Sequence, residues 1–206
     1  MKKLKFLHVG CGTLTKVNTT EEFASDRWEE VRLDIDESVR PDIVASVLNL
    51  DMVEANSFDA VYSSHNIEHV FSHEVPSMLK EFIRVLNENG VFVVKCPNLL
   101  HVAELIANDK LTEAAYISPI GPITPLDMVY GHSDSIAKGN TYMAHKCGFT
   151  PKSLKKTLEE SGFKSVGTLS RKSQLDIWAV ASVKKIEDRN VMKALLKKHL
   201  PITTNI

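Results

Sequence analysis

The sequence predicts an α/β domain, an open and mostly parallel sheet with helices on both faces. Three observations carry this. The chain begins with a short apolar run over residues 4–9 that breaks into the Gly-x-Gly turn Gly10-Cys11-Gly12. Short apolar runs then alternate with helical patterns, the arrangement that builds a parallel sheet. Near the end, two strand-like runs, 165–169 and 175–183, are close enough to pair as an antiparallel hairpin across the polar Ser170-Arg171-Lys172-Ser173.

In chain order, the first strand carries Leu4, Phe6, Leu7 and Val9, and ends at a turn that glycine, lacking a Cβ, makes sharply and close to a ligand. Val31-Arg32-Leu33, Ile43-Val44-Ala45 and residues 58–62 read as the next three strands. Val75, Met78, Leu79, Phe82, Ile83 and Leu86 recur at helical spacing, with Lys80, Glu81, Arg84 and Glu88 facing outward. Gly90 is the stop signal of that helix, and residues 91–94 follow as a strand. Between Pro97 and Phe149 the chain turns rich in proline, glycine and aromatics, which predicts an ordered insert over about 99–148. Thr150-Pro151-Lys152-Ser153 starts a second amphipathic helix, a good cap with proline in the first turn, running through Leu154 and Leu158 to Gly162. Residues 186–200 read as a lysine-rich helix that packs at the periphery.

At 206 residues the expectation is a single domain over 1–184, insert included, with a helical tail over 185–206. A net charge of −1 argues against a general nucleic-acid binder, which leans on many lysine and arginine contacts to phosphate. Cys11, Cys96 and Cys147 are scattered and lack metal-ligand spacing, which fits a reducing cytoplasm. The start Met1-Lys2-Lys3-Leu4-Lys5 is like a signal n-region, but charge and glycine interrupt any apolar run after it. No run reaches the roughly 20 apolar residues of a membrane span. The expected partner is a small molecule rather than nucleic acid or membrane, with a homodimer left open.

At the carboxyl end of a first strand, a Gly-x-Gly turn is how an α/β sheet receives a nucleotide-like cofactor. Asp34 stands 22 residues past Gly12, at the end of the second strand, where a carboxylate accepts hydrogen bonds from both hydroxyls of a ribose. The ends at Ala45-Ser46-Val47-Leu48 and Tyr62-Ser63-Ser64-His65 complete a row along one edge of the sheet.

Taken together, His8 to Thr13, Arg32-Leu33-Asp34, Phe58 to His69, and Leu79 through Arg84-Val85-Leu86 to Gly90-Val91-Phe92-Val93-Val94 resemble a class I S-adenosylmethionine-dependent methyltransferase of the type 11-like, small-molecule branch. The resemblance covers residues 4–98 and, more loosely, 149–184. It implies a Rossmann-like seven-stranded sheet whose last strand is antiparallel, S-adenosyl-L-methionine as cofactor, and methyl transfer to a small-molecule or sugar-like acceptor. It implies Gly10, Cys11 and Gly12 under the methionine part, Asp34 on the ribose and Ile35 beside the adenine. Ser46 and Val47 match the adenine-reading position, and Ser63, Ser64 and His65 the strand end near the sulfonium. Three positions depart from the family pattern: His8 stands for the acidic residue at the strand tip, Leu14 for the third glycine, and Ser46 for the adenine-side aspartate. The stretch 15–28 is also short for a full first helix.

Methyl transfer is an in-line displacement, and a base is needed when the acceptor holds a proton it cannot lose unaided. Histidine is the natural base near neutral pH. His65 and His145 are the catalytic candidates, with His69 and His132 as others; Tyr116, Tyr130, Tyr142 and His145 are the candidate acceptor contacts of the insert. His65-Asn66-Ile67-Glu68-His69 also spells the H-x-x-E-H of inverted zinc proteases. That chemistry needs the pentad inside a long helix, whereas here it follows a strand, so no metal is expected. Two readings compete with the enzyme: a non-catalytic binding module of the same fold, and a nicotinamide-dependent oxidoreductase. The missing third glycine and short first helix speak against the latter, because pyrophosphate wants a well-formed helix N-terminus.

Overall fold

The computed structural model describes residues 3–199. Strands β1 (Leu4–Val9), β2 (Trp28–Asp34), β3 (Ile43–Val44), β4 (Phe58–Ser64), β5 (Leu86–Pro97), β8 (Ser165–Arg171) and β9 (Asp176–Ser182) form one sheet in the order β3-β2-β1-β4-β5-β9-β8. The first five run parallel, and β9 is antiparallel to both of its neighbours. This is the seven-stranded sheet with an antiparallel last strand that the sequence predicts.

The alternation of side chains along each strand divides the core in two. Leu7, Val9, Val61, Phe92, Val94 and Ile177 face helices α2 (Val75–Val85) and α6 (Pro151–Glu160), which bury Met78, Leu79, Phe82, Leu154 and Leu158 against them. Phe6, Ala60, Tyr62, Val93, Trp178 and Val180 face the opposite way, onto Phe23 of the single-turn helix α1 (Glu21–Ala24) and Leu195 and Leu196 of α7 (Arg189–His199). The crossover from β1 to β2 is as short as its length predicts. The tail helix fills the space it leaves, bringing the His199 ring to 4.6 Å from the Phe23 ring. The tail helix, read from the sequence as 186–200, runs over Arg189–His199 and packs on this second core; residues 200–206 of the predicted tail lie outside the described residues.

Helix α2 ends earlier than Gly90. Leu86 is already extended (φ −72, ψ 140), and residues 86–90 join β5, with Leu86 opposite Phe58 and a register shift before Ala60. The Asn87 amide donates to Asp59 Oδ1 (2.8 Å), so this polar stretch is anchored to β4 rather than wound as a last helical turn. Helix α6 begins as predicted: Thr150 and Ser153 exchange side-chain-to-backbone bonds in a capping box.

The insert folds into α3 (Leu99–Ala107), a hairpin of β6 (Tyr116–Ser118) and β7 (Gly121–Ile123), α4 (Pro125–Tyr130) and α5 (Ser133–Ala137). Val102, Ile123 and Met128 give it a small core of its own. It returns over the carboxyl ends of β4 and β5, where Lys146 and Cys147 both donate backbone N–H bonds to the Glu68 carbonyl. Among the described residues no helix is long and apolar enough to cross a membrane.

Candidate active site

The Gly-x-Gly turn takes left-handed backbone at both glycines, with φ +61 at Gly10 and +52 at Gly12. A Cβ on Gly12 would meet nothing within 4 Å, which leaves that side open to a ligand. Across from it the Asp34 carboxylate closes the turn onto β2: Oδ2 accepts from Gly12 N (2.7 Å) and Oδ1 from Asp36 N (3.0 Å). Each oxygen keeps a further acceptor site, enough for a vicinal diol. The Arg32 guanidinium staples the turn from behind, donating to the carbonyls of Gly12 (2.6 Å), Leu14 (3.0 Å) and Arg40 (2.9 Å).

These elements open on a cavity of about 440 Å³ at the carboxyl edge of the sheet. Of the residues read as cofactor contacts, Gly10, Gly12, Asp34, Ile35, Ser46, Val47 and His65 line it. Cys11, Ser63 and Ser64 do not. Cys11 is buried under the turn, and burial pushes its thiol up to about 11. Ser63 is buried where β4 pairs with Val9 and Val94 on either side, and Ser64 reaches no part of the cavity wall, because the chain bends away only at His65.

His8 faces the other side of the sheet. Its Nδ1 lies 2.7 Å from Glu30 Oε1, and its ring meets Tyr62 edge-on, so the strand tip offers the cavity no charged group. The acidic side chains on the wall are Asp34, Asp36 and Glu74. The sequence reading missed Glu74, Phe71 and Lys146 as lining residues, since all three look like an ordinary helix entry or loop surface. Lys146 Nζ sits 4.8 Å over the Phe71 ring.

At the end of β4, His65 takes left-handed backbone (φ +50) and donates its N–H to the Lys95 carbonyl (2.9 Å). The tight turn Ile67–His69 then drives Ile67 and Glu68 inward. Glu68 is 1% exposed, with Oε1 3.3 Å from His65 Nδ1. Burial works to raise its pKa. The His65 hydrogen bond and the fields of His65, His69 and His145 outweigh that and hold the carboxyl below its ordinary value. Lys95 nearby is pulled down by burial, against the pull of Asp176.

The roof of the cavity comes from Asn140, Tyr142, Met143 and Lys146. Of the residues read as acceptor contacts, Tyr142 lines the cavity. Tyr116 packs against the insert's own core, where burial raises its phenol, and Tyr130 is 66% exposed and points off the wall. His145 stands one layer back, its ring edge-on to that of His69 at 4.8 Å, and His69 lines the cavity. Burial lowers the pKa of His145. His132 bonds Ser135 Oγ (2.8 Å) away from the cavity and is no base for it.

The wall fits an adenosyl cofactor at three points: the open Gly12, the diol-ready Asp34, and Asn66 Oδ1, a buried oxygen with no partner. Residues 7–94 match a family model described as a methyltransferase domain. No curated protein matches the chain. Among solved structures, an S-adenosylmethionine-dependent methyltransferase from Archaeoglobus fulgidus is similar at 16% identity, with 87% of this chain and 86% of that one covered and a TM-score of 0.58. One from Methanosarcina mazei is similar at 16% identity, 91% and 95% coverage, and a TM-score of 0.58. The 1,6-didemethyltoxoflavin-N1-methyltransferase of Burkholderia thailandensis, solved with 1,6-didemethyltoxoflavin and S-adenosylhomocysteine, is similar at 14% identity, 90% and 72% coverage, and a TM-score of 0.56. At these identities the likeness is one of fold.

Proposed function

We propose that this chain, whose residues 7–94 match a methyltransferase domain model and whose fold is similar to that of S-adenosylmethionine-dependent methyltransferases, is a class I S-adenosylmethionine-dependent methyltransferase, and that its acceptor is a small molecule, sugar-like or of similar size, bound under the roof of the cofactor cavity. One observation carries this: the ribose-reading end (Asp34, Ile35, Ser46, Val47) and the polar end (His65, His69, Tyr142, Lys146) belong to a single cavity of about 440 Å³. That volume is near the low end of pockets that enclose small ligands. A small-molecule acceptor is also what the similar toxoflavin methyltransferase carries.

S-adenosylmethionine supplies a methyl group on a positively charged sulfur and leaves as S-adenosylhomocysteine. Asp34 accepts the ribose hydroxyls, and the Gly12 backbone gives the methionine part its closest approach. Ile35 and Val47 flank the adenine. His65 is the base, placed at the cavity by its left-handed backbone and held by Glu68 Oε1. Tyr142 and Met143 exclude water from above, and the domain works in the cytoplasm.

The test is thermal unfolding with S-adenosylmethionine, S-adenosylhomocysteine and NAD in parallel, followed by transfer of labelled methyl to a panel of small acceptors. Ligand at a hundred times its dissociation constant adds about 2.7 kcal/mol, a visible shift. Stabilisation by the adenosyl pair but not NAD, lost in Asp34→Ala, with label on a small hydroxylated or amine acceptor, is the expected result. Label appearing only on protein or nucleic acid, or stabilisation by NAD alone, overturns the reading.

A further inference from the structure

Glu68, His69 and His145 form a cluster that the cofactor does not account for. Glu68 Oε2 is buried and has no hydrogen-bond partner, a costly state for a carboxylate oxygen. His69 Nδ1 is 3.1 Å from the Ala144 carbonyl, and His145 Nδ1 is 2.9 Å from the Met128 carbonyl. A carbonyl only accepts, so in each neutral ring the proton sits on Nδ1 and the free lone pair on Nε2. One ligand atom from each of the three residues lies within 4.8 Å of the others. With both rings neutral, each of the three residues therefore has a lone pair to offer a cation.

We propose that Glu68, His69 and His145 are a binding site for a divalent first-row transition cation, zinc fitting best. Two imidazoles with one carboxylate suit zinc or iron, whereas magnesium and calcium prefer all-oxygen sets. Three protein ligands with a fourth position free is the pattern of a catalytic rather than a structural zinc site. The carbonyl bonds to both Nδ1 atoms fix the ring orientations, as second-layer partners do in metal sites. The roof is already tied to the turn by the Lys146 and Cys147 N–H bonds to the Glu68 carbonyl (2.8 and 3.2 Å). A tetrahedral zinc with bonds of about 2.1 Å needs its ligands about 3.4 Å apart. The H-x-x-E-H pentad supplies only its last two residues; the third ligand comes from the insert, which is why a single-helix zinc pattern does not describe this site.

Resting on the proposed function, the site adjoins the acceptor end of the cavity through His69, which is on its wall, so a bound cation would favour loss of a proton from an acceptor hydroxyl there. The acceptor O–H then gives its proton to His65, the oxygen forms its bond to the methyl carbon, and the C–S pair leaves on sulfur.

The test is calorimetric titration of the full-length protein, stripped with EDTA and dialysed, with Zn²⁺, Mn²⁺ and Mg²⁺, repeated on His145→Ala and Glu68→Gln, with circular dichroism to establish folding. One Zn²⁺ per chain, bound more tightly than Mg²⁺ and weakened at least tenfold in both variants, is expected. No stoichiometric Zn²⁺ binding, or binding unchanged in His145→Ala, overturns the site. If Glu68→Gln does not fold, His145→Ala on the roof decides alone. S-adenosylhomocysteine binding on the same preparations separates the two readings: its binding without Zn²⁺ sinks the cation site only, and Zn²⁺ binding without it upholds the cation site and sinks the methyltransferase reading.

Discussion

The Asn66 side-chain amide occupies the place where a Cβ on Gly10 would sit: its Nδ2 would be 1.8 Å away. Gly10 and Gly12 look alike in sequence but are glycine for different reasons. Gly10 makes room for a side chain of the β4 turn, whereas Gly12 faces open space. Gly10→Ala should therefore cost backbone strain, about 1–2 kcal/mol for the left-handed conformation, plus the displacement of Asn66. Gly12→Ala should cost the strain alone while intruding on the cofactor. The expected outcome is a larger fall in melting temperature for Gly10→Ala, and, for Gly12→Ala, a loss of the S-adenosylhomocysteine shift out of proportion to its stability loss. Equal melting temperatures for the two variants would show that the Asn66 contact does not matter.

Asp34 serves the fold as well as the ligand, because its oxygens accept from Gly12 N and Asp36 N. Asp34→Ala leaves both donors without their partner, at about 1–3 kcal/mol. Arg32, which holds the same turn from the far side without lining the cavity, separates the roles. Arg32→Lys cannot span three carbonyls with one ammonium, so it should lower the melting temperature while retaining most of the ligand shift. Parallel melts with and without S-adenosylhomocysteine check this; a ligand shift abolished in Arg32→Lys would refute the division.

Arg84 reaches away from α2 to the loop that carries Ser46 and Val47. Its guanidinium donates to the carbonyls of Leu50 (2.7 Å) and Val53 (2.9 Å) and is braced by Glu81, which also accepts from Leu50 N (3.3 Å). Arg84→Ala should cost about 1–3 kcal/mol through the two abandoned carbonyls and loosen the adenine side of the cavity. Weaker S-adenosylhomocysteine binding with faster hydrogen exchange over residues 45–53 is the expected signature. Exchange unchanged there would mean the loop holds itself.

The mostly parallel sheet, the antiparallel last strand and the presence of Gly12 and Asp34 at one edge of the sheet were legible in the sequence because alternation and glycine turns are local signals. The end of α2 was not: Leu86 continues the apolar helical spacing, and only its pairing with Phe58 makes it a strand. His8 was recognised as a departure, but its partner Glu30 lies on the next strand, which spacing along one strand cannot reveal. Ser63 and Ser64 were placed on the wall by matching positions, whereas the wall is reached through the bend at His65. His145 joins Glu68 and His69 only because the insert returns over β4, a contact between segments far apart in the chain.

The tail helix supplies an acid-sensitive lock on the short first crossover. His199 is 2% exposed, its ring against Phe23, and burial pulls its pKa from 6.5 down to about 4, with Lys198 adding to the effect and Glu22 opposing it. Its Nδ1 lies 3.5 Å from the Thr20 hydroxyl. The folded state therefore holds this ring neutral at a pH where the unfolded chain binds a proton. Above about 6.5 both states are neutral and His199 makes no pH-dependent contribution. As pH falls from 6.5 towards 4 the unfolded state gains protons first and stability drops, by at most about 3 kcal/mol; below 4 the loss levels off. Glu22, whose carboxyl is held below its ordinary value, loses stability in the acid range too, so the wild-type curve alone is ambiguous. His199→Phe removes the titrating ring and keeps an aromatic against Phe23. Subtracting its stability from that of the wild type between pH 7.5 and 4, by urea unfolding at fixed ionic strength, should give a difference that grows in favour of the variant from pH 6.5 downward. A difference independent of pH would show that His199 titrates alike in the folded and unfolded chain, and so is not sealed from water.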